Sequence, residues 1–216
     1  MNRITPRVAI EVATHEACIK EAYKDSVGVW TWGFGLTRPS GVDPLAYKDK
    51  PAPLSECVDV FIDVLRRYAD DVIEAFPGVE LTEAQFAAAL SFHWNTGAIK
   101  RASWVKHFLA GDTAKSYNAF LNWKKPAAII PRRKKERKLF FGGEWAGNEY
   151  VTIFGVRKPS YQPDWSSARK ENLVAAIEAA LNEKTDPQPE PKASPWAGLF
   201  KTILSIFGGK KNDRRN

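Results

Sequence analysis

Residues 16–37 read E-A-C-I-K-E-A-Y-K-D-S-V-G-V-W-T-W-G-F-G-L-T, and the rest of the chain is organised around them. The stretch spaces Glu16, Asp25 and Thr31 as E-x8-D-x5-T, with Gly33 and Gly35 directly after. Ile4, Val8, Val12 and Ile19 recur at helical intervals, which predicts an opening helix whose last turn carries Glu16. From Ser26 the pattern changes to β-branched and aromatic residues, Val27, Val29 and Thr31 among them, broken by Gly28, Gly33 and Gly35; this predicts a short hairpin. A carboxyl at a helix end then faces a carboxylate and a hydroxyl on strands. Two carboxyls in unlike surroundings suit glycoside hydrolysis, in which one stays protonated to donate to the leaving oxygen. The other stays ionised to activate water or balance the developing cation.

The same residues resemble the catalytic segment of the phage-type lysozymes, the endolysins of glycoside hydrolase family 24. Ala22, Tyr23, Asp25, Gly28, Thr31, Gly33 and Gly35 all fall where that motif places them. A second block agrees: Leu81-Thr82-Glu83-Ala84-Gln85-Phe86 leads to Leu90-Ser91-Phe92 and Asn95-Thr96-Gly97, and Trp123 is followed by Pro131-Arg132-Arg133 and Glu136. The resemblance covers roughly residues 4–141. It departs at Ala17, where a glycine often follows the glutamate, and at Ala128-Ile129-Ile130, which replaces a glycine-bearing loop and reshapes one rim of the expected cleft.

The resemblance implies an α+β, mainly helical, lysozyme-like fold of two lobes: a small β-hairpin lobe, a long linking helix and a helical lobe. It also implies hydrolysis of the β-1,4 bond between N-acetylmuramic acid and N-acetylglucosamine in bacterial peptidoglycan, leading to host cell lysis. Glu16 would be the general acid, Asp25 the ionised carboxylate and Thr31 the residue that positions water, with an inverting outcome. Asn95 and Trp123 would contact sugar from the cleft wall. No cofactor is implied, and a monomer is expected. Two alternatives differ in class. A lytic transglycosylase on the same bond needs a single acid, so Asp25 and Thr31 argue against it; a non-enzymatic envelope binder would act through the basic C-terminal segment.

Length and composition fit this picture. With 216 residues and 44% hydrophobic content, the chain suits one domain with a sizeable core plus something smaller. His15, His93 and His107 have no second ligand at metal spacing, so no metal site is expected. Cys18 and Cys57 both fall on predicted helices, with buried free thiols as the expected state and a bond after export as the other reading. The first residues, Met1-Asn2-Arg3-Ile4-Thr5-Pro6-Arg7, lack the apolar run of a signal peptide, and no stretch is apolar enough to span a bilayer. The expectation is retention in the host cytoplasm until another protein's holin-type lesion gives access to the periplasm and cell wall.

Beyond the hairpin, residues 38–53 read as a polar loop with room for a third strand. Val58, Phe61, Ile62, Leu65, Tyr68, Val72, Ile73 and Phe76 form the apolar face of a long helix stopped by Pro77-Gly78. Thr82 and Gln85 make a capping box for the next helix, and shorter helices follow near residues 101–110 and 113–123. Residues 124–138 hold eight basic residues against Glu136, a net +7 equal to that of the whole chain, and such a run is by default a solvated helix face. Attraction to an anionic surface is the sharper reading; no motif for specific nucleic acid accompanies it.

The domain reading assigns residues 1–182 to the catalytic domain. Within it, 142–162 is read as irregular, followed by a helix bearing Leu173, Val174, Ile177 and Leu181. Residues 183–195 read as a proline-rich linker. In 196–216, Trp196, Leu199, Phe200, Ile203, Leu204 and Phe207 share one helical face ahead of a basic tail. A 12-residue helix reaches only about 18 Å against the roughly 30 Å of a bilayer core, so it would lie on an anionic membrane or fold against the domain.

Overall fold

A computed structural model describes residues 4–182; the segments read from the sequence as a linker, 183–195, and as an amphipathic helix with a basic tail, 196–216, lie outside the described residues. The first helix, α1 (Pro6–Thr14), is capped by Thr5, whose hydroxyl accepts from the Val8 amide at 3.2 Å, and Pro6 occupies the first turn. It buries Val8, Ala9, Val12 and Ala13 completely. It ends at Thr14, so Glu16 lies past its last turn, and Cys18 and Ile19 belong to the strand β1 (Ala17–Lys24) instead. The helical spacing of Val12 and Ile19 is overridden because β1 is buried on both faces. Cys18 and Ile19, adjacent in sequence, are both nearly free of solvent contact.

The hairpin is therefore β1 with β2 (Trp30–Gly33), antiparallel, with Tyr23 opposite Thr31 and Ile19 opposite Gly33. No third strand forms in residues 38–53. Pro39 and Pro44 instead open two short 3-10 turns, Arg38–Ser40 and Pro44–Tyr47, the second capped by Asp43. Trp32 stacks on Tyr47 with ring centroids 3.7 Å apart, which seals that loop onto the sheet.

The long helix α2 (Leu54–Ala75) buries Val58, Phe61, Ile62, Leu65 and Val72, each contributing roughly 1.5–3 kcal/mol by removal from water. Ile73, expected on that face, is 40% exposed. The next helix, α3 (Glu83–Thr96), starts with the expected capping box, Gln85 N–H to Thr82 Oγ1 at 3.2 Å and Thr82 N–H to Gln85 Oε1 at 3.0 Å. It packs with α4 (Ser103–Leu109), α5 (Thr113–Phe120) and α6 (Ile130–Gly142) around Phe92, Trp104, Phe120 and Phe140. Trp104 is central there, its ring 4.5 Å from Phe120, 5.0 Å from Phe140 and 5.3 Å from Phe92.

The segment read as irregular is instead ordered as a second hairpin. Strand β3 (Tyr150–Arg157) runs parallel to β1 and pairs with β4 (Gln162–Asn172), giving a four-stranded sheet in the order β2-β1-β3-β4. Val151 and Ile153 alternate into the core, whereas β4, polar and charged, forms an edge that carries little hydrophobic pattern to read. Helix α7 (Val174–Asn182) then returns against α1 and α2. The connection from α6 is pinned by the buried Glu11, whose Oε2 accepts from the Ala146 and Gly147 amides at 2.9 and 2.7 Å. A side chain at Gly147 would be crowded: a Cβ there would lie 3.1 Å from Ile10 Cγ2 and 3.3 Å from Glu11 Oε2.

Cys18 and Cys57 are free, buried thiols that hydrogen-bond to each other, and this contact together with burial pushes the Cys18 thiol far up. No helix among the described residues is long and apolar enough to cross a membrane.

Candidate active site

Glu16 occupies the two-residue step between α1 and β1, belonging to neither, so its side-chain direction is set by what it meets. One carboxyl oxygen meets Arg132 of α6 in an ion pair, which ties the sheet to the helical lobe. The other faces Gly35, where a Cβ would lie 3.7 Å from Glu16 Oε2; Gly35 also has φ +81°, a left-handed conformation that favours glycine. Burial raises the Glu16 carboxyl above the ordinary carboxylate range, and the Arg132 charge and hydrogen bond only partly offset it. The side chain keeps 19% of its exposure, so solvent or substrate still reaches it.

Asp25 begins the turn of the first hairpin. Its Oδ1 accepts from the Val27 and Val29 amides at 3.0 and 2.8 Å, while its own backbone N–H donates to the Val29 carbonyl at 3.0 Å. The side chain thus folds the turn, and both of those bonds fall on Oδ1. Thr31, buried on β2, donates its hydroxyl to the Val29 carbonyl at 3.1 Å. Tyr23 stands opposite Thr31 on β1. Burial drives its phenol far up, and the charges of Glu16 and Asp25 add to that rise. Thr31 thus pairs with Tyr23 across the hairpin, and the charges of both Glu16 and Asp25 act on the Tyr23 phenol.

The basic run is only partly the solvated face that composition implies. Arg133 and Glu136 are completely buried and Arg132 nearly so. Glu136 accepts from Arg132 Nε at 2.9 Å and Ser91 Oγ at 2.7 Å, and it pairs with Arg133. Arg132 also donates to the Ser91 carbonyl at 3.1 Å, and Arg133 to the Trp123 carbonyl at 3.2 Å. Two carboxyls and two guanidiniums, Glu16-Arg132-Glu136-Arg133, thus form one network with most of its polar atoms satisfied, neutral when Glu16 is ionised. Lys124, Lys125, Lys134, Lys135 and Lys138 remain on the surface as expected. The only sequence signal for the network is the spacing of Arg132 and Arg133 from Glu136, four and three residues along one helix.

Asn95 and Trp123 both attach to this network through Arg133. Asn95, exposed at the end of α3, accepts from Arg133 Nη2 at 2.6 Å. Trp123 is half-buried, edge-on to Phe92 with ring centroids 5.5 Å apart. Among the described residues no cluster of histidine, cysteine, aspartate or glutamate is arranged to hold a metal ion. A concavity of about 210 Å³, lined by Asp71, His93, Gly97, Ala98, Lys100 and Arg101, contains none of these site residues.

A family model described as phage lysozyme matches residues 13–136, a span that holds the hairpin, Glu16 and the Arg132, Arg133 and Glu136 network. The chain belongs to the phage lysozyme family. It is 29% identical over 126 residues to the endolysin of Salmonella phage P22, a match covering 56% of this chain and 85% of that protein. It is 36% identical over 88 residues to the endolysin of Bacillus phage B103, a match covering 35% of this chain and 34% of that protein, about a third of its length. The endolysin of Escherichia coli O157:H7 phage FAHEc1 superposes with a TM-score of 0.60 at 20% identity, covering 66% of this chain and 96% of the other. At that identity the likeness concerns the fold. The family match stops at residue 136, so the second hairpin and α7 lie outside it.

Proposed function

We propose that the chain is an endolysin that hydrolyses the β-1,4 bond between N-acetylmuramic acid and N-acetylglucosamine in peptidoglycan. Family membership and two endolysin relatives support a peptidoglycan hydrolase. The observation that carries the finer reading is the Glu16 carboxyl, raised by burial and still open to substrate, at the junction of the two lobes. A carboxyl with a raised pKa holds a proton for the glycosidic oxygen at a pH where an exposed one has lost it. As the proton transfers, the bond from the anomeric carbon to that oxygen breaks and the leaving sugar departs as an alcohol.

Asp25 and Thr31 then define where water attacks. Thr31 already donates its hydroxyl hydrogen to Val29, so its oxygen is free to accept one from water. Asp25 Oδ1 is taken by two amides, which leaves Oδ2 to accept the other. A water holding both contacts points a lone pair at the anomeric carbon and gives its proton to Asp25 as the new bond forms, an inverting course. Asn95 and Trp123 would contact sugar from α3 and the chain after α5. The enzyme would reach its substrate in the periplasm or cell wall after release through a holin-type lesion.

Mass spectrometry of the soluble products from purified peptidoglycan tests this, with wild type and Glu16→Gln side by side. Reducing muropeptides ending in N-acetylmuramic acid, absent with the variant, are expected. Anhydro products would assign a transglycosylase, and undiminished release by Glu16→Gln would remove Glu16 as the acid.

A further inference from the structure

We propose that Phe154 and Trp165 form an aromatic ledge that extends the glycan-binding cleft beyond the family's domain, stacking a sugar of the same strand that Glu16 and Asp25 act on. The proposal rests on the peptidoglycan reading above for the identity of the strand. Its first support is the register of the sheet. Residues directly opposite one another on neighbouring strands share a face. Thr31 is opposite Tyr23, Gly33 is opposite Ile19, and Ile19 is opposite Phe154. The bulge in β1 separates Ile19 and Tyr23 by four residues where β2 uses two, so both steps are even and the face is kept. Phe154 therefore stands on the sheet face that carries Thr31 and Tyr23, two strands and about 10 Å across from β2.

Burial agrees with that assignment. Cys18 and Ile153, opposite each other, lie in the main core, whereas Ile19 is buried but lies outside that core cluster. Phe154 continues from Ile19, and Trp165 of β4 meets it edge-on with centroids 4.9 Å apart. Trp165 is 61% exposed and is the one exposed tryptophan among the described residues.

The second support is that Trp165 is held out deliberately. Between the pairs Ile153–Arg169 and Gly155–Asp164 the ladder leaves one residue on β3, Phe154, opposite four on β4, residues 165–168. This bulge is fixed by its own bonds. Ser167 Oγ accepts from the Gly155 amide at 2.7 Å and donates to the Asp164 carbonyl at 2.7 Å, and Ser166 Oγ donates to Asp164 Oδ1 at 2.6 Å. Bulges re-aim side chains and recur beside functional sites. A large flat apolar ring that meets Phe154, on the sheet face shared with Thr31 and Tyr23, with hydroxyls and a carboxylate beside it, suits the apolar face of a pyranose ring.

The test uses the full chain carrying Glu16→Gln so that the glycan persists, with and without Trp165→Ala, and follows binding by titration calorimetry. Two probes are compared: peptide-stripped peptidoglycan glycan strands, and a tetrasaccharide cut from them that the cleft alone accommodates. Trp165→Ala should weaken strand binding about three- to tenfold, the factor one aromatic contact supplies, and leave the tetrasaccharide unchanged. Trp165→Phe should restore most of the loss. Unaltered strand binding overturns the ledge, as does an equal loss with the tetrasaccharide, which would mean a distorted cleft. Products of the wild type are read separately: absence of reducing fragments sinks the muramidase reading, while the titration still decides whether Trp165 holds glycan.

Discussion

Replacing Glu136 by glutamine should damage both stability and the pH profile, in directions that follow from the network. Glu136 is completely buried and takes hydrogen bonds or ion pairs from Arg132, Arg133 and Ser91. The amide keeps the shape but removes the charge, leaving two buried guanidiniums with Glu16 as their sole anion. Breaking a buried pair in this way costs about 3–5 kcal/mol. For a domain of this size that lowers the melting temperature by roughly 6–20 °C. The Glu136 charge also raises the Glu16 carboxyl, so its loss lets Arg132 draw Glu16 further toward the ionised form. The alkaline limb of kcat/KM on purified peptidoglycan should therefore move to lower pH. Thermal unfolding by circular dichroism and rate profiles on the folded enzyme give the two readings. A variant with wild-type melting temperature and an unmoved alkaline limb would refute the network as described.

The remaining expectations concern the same scaffold. Removing the opposite charge with Arg132→Gln should move the alkaline limb upward, because the Arg132 charge and hydrogen bond lower Glu16; in the wild type that limb should already lie above 4.5, the ordinary glutamate value. Asp25→Asn keeps an oxygen to accept from Val27 and Val29 and should retain the fold while losing most turnover, whereas Asp25→Ala should also loosen the turn, visible as faster amide exchange at Val27 and Val29. Burial raises the Glu11 carboxyl, but His15 and the Gly147 and Ala146 amides outweigh it and hold it below 4.5; its stabilisation is complete above 4.5 and lost as pH falls through the folded value, so Glu11→Gln should flatten that acid loss in denaturant titrations. Gly147→Ala should cost about 1–3 kcal/mol by forcing a methyl against Ile10 and Glu11, checked by urea unfolding.

What could be read from the chain, and what could not, follows from which forces are local. The capping box of α3 and the face of α2 are local, and Thr82, Gln85, Phe61 and Leu65 declare them by spacing alone. The end of α1 is not local. Cys18 and Ile19 satisfy a helical interval, yet β1 is claimed by β2 on one side and β3 on the other, and the β3 partner arrives more than a hundred residues later. Strand β4 is harder still, since an edge strand of Gln162, Asp164, Ser166, Arg169 and Lys170 is stabilised by its ladder with β3 rather than by burial of its own side chains. At the proposed site, Glu16, Asp25 and Thr31 are legible as types and spacing because one short stretch carries them. Arg132, Arg133 and Glu136 were visible as letters but not as buried groups, because a charge run looks the same in water and in a core.

The buried charges also constrain how the proposed acid can work. With Glu16 ionised the quartet Glu16-Arg132-Glu136-Arg133 is neutral; once Glu16 holds the proton it must donate, the quartet carries one uncompensated positive charge. On the proposed mechanism that charge would sit beside the bond that is to break, where the transition state itself develops positive charge on the sugar. Left alone, Arg132 would oppose the reaction it helps to position. A negative group on the far side of the sugar would remove the difficulty, and the proposed partner is Asp25, whose side chain is fixed in the hairpin turn by the Val27 and Val29 amides on Oδ1. On this proposal the two carboxyls would be coupled through the arginine: the nearer Arg132 is kept to Glu16, the more the chemistry would depend on the charge at position 25. Asp25→Asn should accordingly cost more in the wild-type background than in Arg132→Gln, and a double-mutant cycle on kcat/KM that shows strict additivity would break this link.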